Sequence, residues 1–189
     1  MRIFIFLGHE VKDKHVGRMA DAYDAAARAA GHEVRRMNIG DMKFDPILHH
    51  GYHEIQELEP DLKTFQENVK WCERLVICYP LWWSNMPALL KGLFDRAWLP
   101  GFAYRFIWHG FGWRKLLKGR KARILVSGQT PCIGLWALYY APNKPLGSVI
   151  LAFAGIRSRI TYVSGIDTMK EEKFKKVLSR ISRLGKRGK

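Results

Sequence analysis

The run Tyr79–Tyr104, YPLWWSNMPALLKGLFDRAWLPGFAY, joins the end of an apolar stretch to an aromatic loop and then to a helical pattern. The residues before it, Arg74-Leu75-Val76-Ile77-Cys78-Tyr79, form the short apolar run expected of a parallel strand covered on both faces, and Pro80 stops it. In an open α/β sheet, ligands sit outside the carboxyl ends of the strands, near the point where strand order reverses. A loop offering Leu81, Trp82 and Trp83 there can cover one face of a planar ring. Leu89, Leu90, Leu93, Phe94 and Ala97 then recur at helical spacing and read as a packing stripe. Adjacent tryptophans point in different directions and cannot both be buried easily in a short loop, so Trp82 and Trp83 are assigned to a ligand or to a subunit interface.

The chain has 189 residues, 48% hydrophobic and 13% aromatic, enough for one domain with a sizeable core. We expect a single domain over 1–184 and a basic tail over 185–189. No apolar stretch approaches the length of a membrane span, and Met1-Arg2 leads directly into Ile3-Phe4-Ile5-Phe6-Leu7, read as the first buried strand rather than a leader. Cys72, Cys78 and Cys132 show no metal-ligand spacing, which argues against a zinc site or a disulfide framework and points to the cytoplasm. The net charge of +15 is concentrated between Arg105 and Arg123 and again beyond Lys170. A solvated helix face is the default reading of the second run, and no nucleic-acid-binding motif accompanies either.

Apolar periodicity predicts strands at 2–8, 32–37, 74–80, 122–128 and 157–164, and helices at about 14–30, 60–73, 86–97, 143–154 and 170–184. That alternation implies a flavodoxin-like three-layer α/β sandwich, with a five-stranded parallel sheet of order 2-1-3-4-5. Residues 41–59 and 100–120 remain as long connections rich in His, Tyr, Phe and Trp, and are expected to be functional or interfacial.

Several chemistries lack their residues. There is no G-x-G-x-x-G after the first strand, no phosphate-binding G-x-x-x-x-G-K-[ST] and no G-x-S-x-G. His49, His50 and His53 fall in a loop without a second cluster of ligands, so no metal is assigned. Lys91 and Asp95, four apart on one helix, read as a surface ion pair. A flavin enzyme asks less of its side chains, because the ring carries the hydride chemistry and the protein binds, orients and shields it. Its phosphate would fall at the first strand-to-helix turn, Gly8-His9-Glu10-Val11-Lys12-Asp13-Lys14-His15-Val16-Gly17, where helix amides face the anion.

On these residues the chain resembles the NAD(P)H:quinone oxidoreductases of the flavodoxin-like fold. The resemblance rests on Pro80-Leu81-Trp82-Trp83, Met86-Pro87-Ala88-Leu89-Leu90-Lys91-Gly92, Asp95-Arg96 and Pro100-Gly101-Phe102-Ala103-Tyr104. It extends to Gly8-His9, to Asp41-Met42-Lys43-Phe44-Asp45-Pro46-Ile47 and, more loosely, to Ser127-Gly128-Gln129-Thr130. It implies that Pro80, Leu81, Trp82, Trp83 and Ser84 wrap a flavin ring and that His9, Lys14, His15 and Val16 hold its phosphate end. Ser127, Gly128, Gln129 and Thr130 would lie along the other side of the ring. Tyr104 and Phe106 would reach the substrate site of the partner in a homodimer, and Trp136, Tyr139 and Tyr140 are the candidates for proton transfer.

The implied cofactor is FMN, with FAD as the alternative. The implied activity is ping-pong transfer from NAD(P)H through the flavin to a quinone. The phosphate turn departs from the hydroxyl residues common in that family by carrying Asp13 and Lys14. Two readings from other classes stand beside this one: an ancillary subunit of a membrane potassium-efflux transporter, and a basic binder of nucleic acid or anionic surfaces.

Overall fold

The computed structural model describes residues 1–107, 112–130 and 144–189. Trp136, Tyr139 and Tyr140, together with Cys132 and His109, lie outside the described residues.

Five parallel strands make the main sheet: β1 (Arg2–Leu7), β2 (Glu33–Asn38), β3 (Arg74–Pro80), β6 (Lys121–Ser127) and β7 (Arg157–Val163). Their spatial order is β2-β1-β3-β6-β7, which is the expected 2-1-3-4-5 once only the strands of this sheet are counted. Between β3 and β6 the chain also forms an antiparallel hairpin, β4 (Tyr104–Phe106) and β5 (Trp113–Lys115), inside the segment expected to be a connection. Three-residue strands carry too short an alternation to register as a pattern in sequence.

Helices cover both faces. On one side, α2 (Pro60–Trp71) and α3 (Ala88–Ala97) bury Phe65, Leu90, Leu93 and Phe94 against Phe4, Phe6, Leu75, Ile77 and Ile124. On the other, α1 (His15–Ala29) and α4 (Glu171–Lys186) bury Met19, Tyr23, Phe174 and Ile181 against Ile3, Ile5, Val76, Cys78 and Leu125. The strict two-residue alternation of faces explains why β1 and β3 read as continuous apolar runs: both sides of each are covered. The crossover before β7 runs as a π-helical segment, Lys144–Leu151, into a helical turn at Ala152–Ala154. The last helix extends through Lys186, and Gly185 and Gly188 beyond the expected domain end are buried. The lysines and arginines of α4 are exposed.

The long connection 42–59 is anchored from below. Arg96 of α3, 1% exposed, donates to the Asp45 carbonyl (2.6 Å), to the Glu57 carbonyl (2.7 Å) and to both carboxylate oxygens of Glu59 (3.2 and 3.0 Å). Gly92, one turn earlier, lies so close to this segment that a Cβ would meet the Pro46 carbonyl oxygen at 2.6 Å.

Candidate functional site

The carboxyl ends of β1, β3 and β6 open onto a cleft of about 520 Å³. His9, Lys14, His15 and Val16 form one wall, Pro80, Leu81 and Trp82 a second, and Ser127, Gly128 and Gln129 a third. Ile166 and Asp167, from the loop after β7, complete it. Ten of the thirteen residues assigned from sequence to cofactor binding therefore line one cavity. Trp83, Ser84 and Thr130 stand just outside its walls.

Short backbone bonds fix these loops to one another. Gly8 N–H donates to the Cys78 carbonyl (2.8 Å), Leu81 N–H to Ser127 (2.7 Å) and Gly128 N–H to Val163 (3.0 Å). Each bond carries the strand ladder one residue past the sheet, so the loops leave from a rigid edge.

The second wall is an unusual turn. Trp82 and Asn85 exchange N–H···O bonds of 2.9 Å in both directions, closing a two-residue hairpin. The residues between them, Trp83 (φ 49°) and Ser84 (φ 60°), are both left-handed. That is the geometry of a type I′ turn, which normally takes Asn-Gly; bulky side chains there are strained. Among the described residues neither the Trp83 nor the Ser84 amide has a hydrogen-bond partner, so both donors are left for something else. Trp83 is fully exposed, and the Trp82 ring, 46% exposed, meets His9 edge-on at 5.5 Å.

At the first wall, α1 begins with no capping side chain and no acidic residue in its first turn, so its positive end is uncompensated. The turn before it folds tightly onto the helix: a Cβ on Gly17 would sit 1.7 Å from the Lys12 carbonyl oxygen. Of the cations that could face an anion there, Lys12 turns away to Asp41 at 2.6 Å, whereas Lys14 lines the cleft. Asp13, the feature that departs from the expected hydroxyls, is exposed and outside the lining. His9 Nδ1 accepts the Val11 amide N–H at 2.9 Å, which places its proton on Nε2. Burial, opposed by Glu10 and reinforced by Lys14, lowers the His9 pKa from its ordinary value.

The third wall depends on Gly128, where a Cβ would lie 2.5 Å from the Tyr162 hydroxyl. That hydroxyl donates to the Thr130 carbonyl (2.8 Å), and Gln129 Oε1 accepts the Asp167 amide (3.2 Å). Ile166 and Asp167 carried no signal in the sequence; the fold alone brings them to the site.

Tyr104 and Phe106 are not among the residues lining this cleft. Tyr104 lines a smaller cavity of about 230 Å³ with Tyr52, Lys91, Asp95 and Phe153, and Lys91 Nζ and Asp95 form the expected ion pair at 2.6 Å. The hairpin is clamped to the crossover by Trp113, which stacks on Phe153 at 4.4 Å and donates Nε1–H to its carbonyl (2.9 Å). Tyr52 and Val149, which line the cavity with Tyr104, and Phe106 of β4 are exposed, and so is Ile55 in the connection that carries Tyr52. The histidine loop pairs internally, His49 Nε2 to Asp45 at 2.7 Å, and among the described residues no three metal-competent side chains gather. Cys72 and Cys78 are buried free thiols, whose burial pushes both pKa values up to about 12. No helix among the described residues is long and apolar enough to cross a membrane.

The family described as flavodoxin-like fold matches residues 1–184. Among curated proteins, NAD(P)H dehydrogenase [quinone] 1 of Cavia porcellus is 32% identical over 126 residues, covering 56% of this chain. The match spans 46% of that relative, so the chain accounts for less than half its length. Among solved structures, the NAD(P)H:quinone oxidoreductase of Methanothermobacter marburgensis superposes with a TM-score of 0.81 at 22% identity, over 100% of this chain and 99% of that one. The FMN-dependent NADH-azoreductase of Bacillus anthracis str. Ames Ancestor, solved with FMN, gives 0.77 at 15% identity over 99% of each. At such identities these superpositions speak to the fold.

Proposed function

The chain belongs to the flavodoxin-like fold family, and from that premise we propose that it is a flavin-dependent NAD(P)H:quinone oxidoreductase with FMN in the cleft at the carboxyl ends of β1, β3 and β6. The observation that carries this reading is the convergence of His9, Lys14, Leu81, Trp82, Ser127 and Gln129 on one cavity from three separate loops. These residues would hold a flavin, which would supply the capacity to take a hydride from a nicotinamide and to reduce a quinone by two electrons.

The residues present fit that group. The positive end of α1 and Lys14 provide for a phosphate; the Trp82 ring and Leu81 provide an apolar face for the ring system. The free amides of Trp83 and Ser84 are donors suited to the carbonyl-rich edge of an isoalloxazine, and the left-handed turn is what frees them. Strain of this kind costs on the order of 1–3 kcal/mol per residue and persists where function requires it. Neutral His9, with its proton on Nε2, keeps a hydrogen-bond donor beside the Trp82 ring without adding a full charge. A single open cleft that would take nicotinamide and quinone in turn would give ping-pong kinetics.

The protein acts as a homodimer in this reading, with the exposed Tyr52, Ile55, Phe106 and Val149 surface covered by a second copy and Tyr104 and Phe106 completing the partner's substrate site. Sedimentation should then show a dimer, and Phe106→Arg should yield monomers that keep FMN and lose turnover. FMN rather than FAD is the cofactor proposed, and parallel titrations of the two separate them. Trp82→Ala and Lys14→Ala should each weaken FMN about tenfold, roughly the 1.4 kcal/mol expected of one stacking face or one charged phosphate contact. Unchanged FMN affinity in Trp82→Ala refutes the placement of the ring.

A further inference from the structure

At the opposite end of the same strands lies a second cleft, of about 460 Å³, and its lining is cationic: Arg74, Lys121, Arg123, Arg157 and Arg159, with Lys189 beside them and no acidic side chain. The arrangement follows from register. Arg74 of β3 pairs with Lys121 of β6, and Lys121 pairs with Arg157 of β7, so three cations stand in one row across three strands. Two residues further on, Arg123 pairs with Arg159 in a second row. Side-chain alternation puts both rows on the face covered elsewhere by α1 and α4.

Neighbouring strands lie roughly 4.8 Å apart and alternate residues roughly 6.6 Å apart. Five like charges therefore occupy a small grid, an arrangement that destabilises a sheet when nothing compensates it. Among the described residues no carboxylate is within ion-pair distance of any of the five. Arg123 is the most telling. It is 8% exposed, its Nε has no hydrogen-bond partner, and its Nη1 has only the Thr161 hydroxyl at 3.4 Å. Burial lowers the pKa of both Arg74 and Arg123, reinforced at Arg74 by Arg159 and at Arg123 by Arg74, Arg159 and Arg180, with Tyr23 opposing in each case. A buried guanidinium flanked by other cations and without an anion is held in place by the fold at a cost that a ligand would offset.

We propose that this cleft binds the phosphoryl chain of a small polyphosphate-bearing molecule, with Arg123 and Arg159 as its central guanidinium pair. Guanidinium groups match phosphoryl oxygens with paired N–H donors, and four of the five side chains are arginine rather than lysine. The first row spans three strands, roughly 10 Å, and the second spans two, which suits two or three linked phosphoryl groups better than one. The site is a bounded concavity at the sheet edge, not a stripe along a surface, which favours a small molecule over a nucleic-acid strand. It is distinct from the FMN cleft, roughly 20 Å away along seven-residue strands.

The test is isothermal titration calorimetry of the whole chain with inorganic pyrophosphate and tripolyphosphate, against inorganic phosphate at matched ionic strength. Saturable 1:1 binding, at least tenfold tighter for the polyphosphates than for phosphate, is expected. Arg123 is buried and its replacement risks the fold, so the exposed Arg157→Ala and Arg159→Ala carry the test, each weakening pyrophosphate about tenfold or more. Lys14→Ala, in the other cleft, should leave pyrophosphate affinity unchanged, whether or not FMN binds there. Absence of saturable binding, equal affinity in Arg159→Ala, or loss in Lys14→Ala overturns the proposal. A single-stranded oligonucleotide that displaces tripolyphosphate at lower concentration also overturns it, by assigning the surface to nucleic acid.

Discussion

Replacing Arg96 by methionine removes the anchor of the 42–59 connection while leaving a side chain of similar length and no charge. Four hydrogen bonds disappear: two to the carbonyls of Asp45 and Glu57 and two to the Glu59 carboxylate. Breaking a buried ion pair by removing one partner costs about 3–5 kcal/mol, most of it from the charge and polar groups left behind. Glu59 retains some exposure, 29% of its side chain, and can recover part of its hydration, which places the expected loss near the lower end, about 3 kcal/mol. For a domain of this size that lowers the melting temperature by roughly 6–12 °C. Arg96→Lys should recover only part of the loss, because one ammonium cannot serve two carbonyls and a carboxylate in fixed directions. Urea unfolding followed by far-ultraviolet circular dichroism reads the difference; a loss below about 1 kcal/mol in Arg96→Met contradicts the reasoning. Burial pushes the Glu59 carboxyl up, but amide donation from Asp45 and from its own backbone, with the Arg96 guanidinium, holds it below its ordinary value. Its contribution is therefore complete above pH 4.5 and fades as pH falls through the folded pKa, and Arg96→Met should weaken that acid dependence, leaving the part that the backbone amides support.

The strained turn makes a prediction of opposite sign: Trp83→Asn combined with Ser84→Gly supplies residues that accept φ > 0 and should raise stability by about 1–2 kcal/mol in the same urea assay. Gly128→Ala should do the reverse, since its Cβ displaces the Tyr162 hydroxyl from the Thr130 carbonyl; a stability loss of about 1–3 kcal/mol with weaker FMN retention is expected, and intact retention argues against the third wall. His9 has a lowered pKa in the folded protein, so the unfolded chain takes up its proton first and stability declines as pH falls from 6.5 toward the folded value, levelling below it. Stability of His9→Asn, measured beside the parent protein across pH 5–8, should lack that component of the slope.

Much of this molecule can be read in its sequence because the buried strands announce themselves. Ile3–Leu7 and Leu75–Tyr79 are apolar on both faces, and the alternation with helical periods leaves a doubly wound sheet as the economical solution. The loop at Trp82 was visible for the same reason: it follows such a strand directly. What stayed hidden arises from register and from the third dimension. Asp95-Arg96 is legible as part of a motif, but that Arg96 is buried beneath a connection whose Asp45 lies 51 residues earlier in the chain is not. Arg123 falls within the strand expected at 122–128, but its burial to 8% exposure beside a row of other cations follows from the β3–β6–β7 register, which the sequence alone does not show. Ile166 and Asp167 sit in an unremarkable loop that only the β6–β7 pairing delivers to the cleft. The β4–β5 hairpin is too short to impose a period, and its position is set by Trp113 and Phe153 stacking instead.

The most direct measurement is the visible spectrum of the purified protein loaded with FMN, desalted, and then treated anaerobically with NADH or NADPH. A flavin band that survives desalting, bleaches on nicotinamide addition and returns when a benzoquinone follows is the predicted result. A protein that passes through desalting colourless, or whose flavin band neither nicotinamide bleaches, contradicts it.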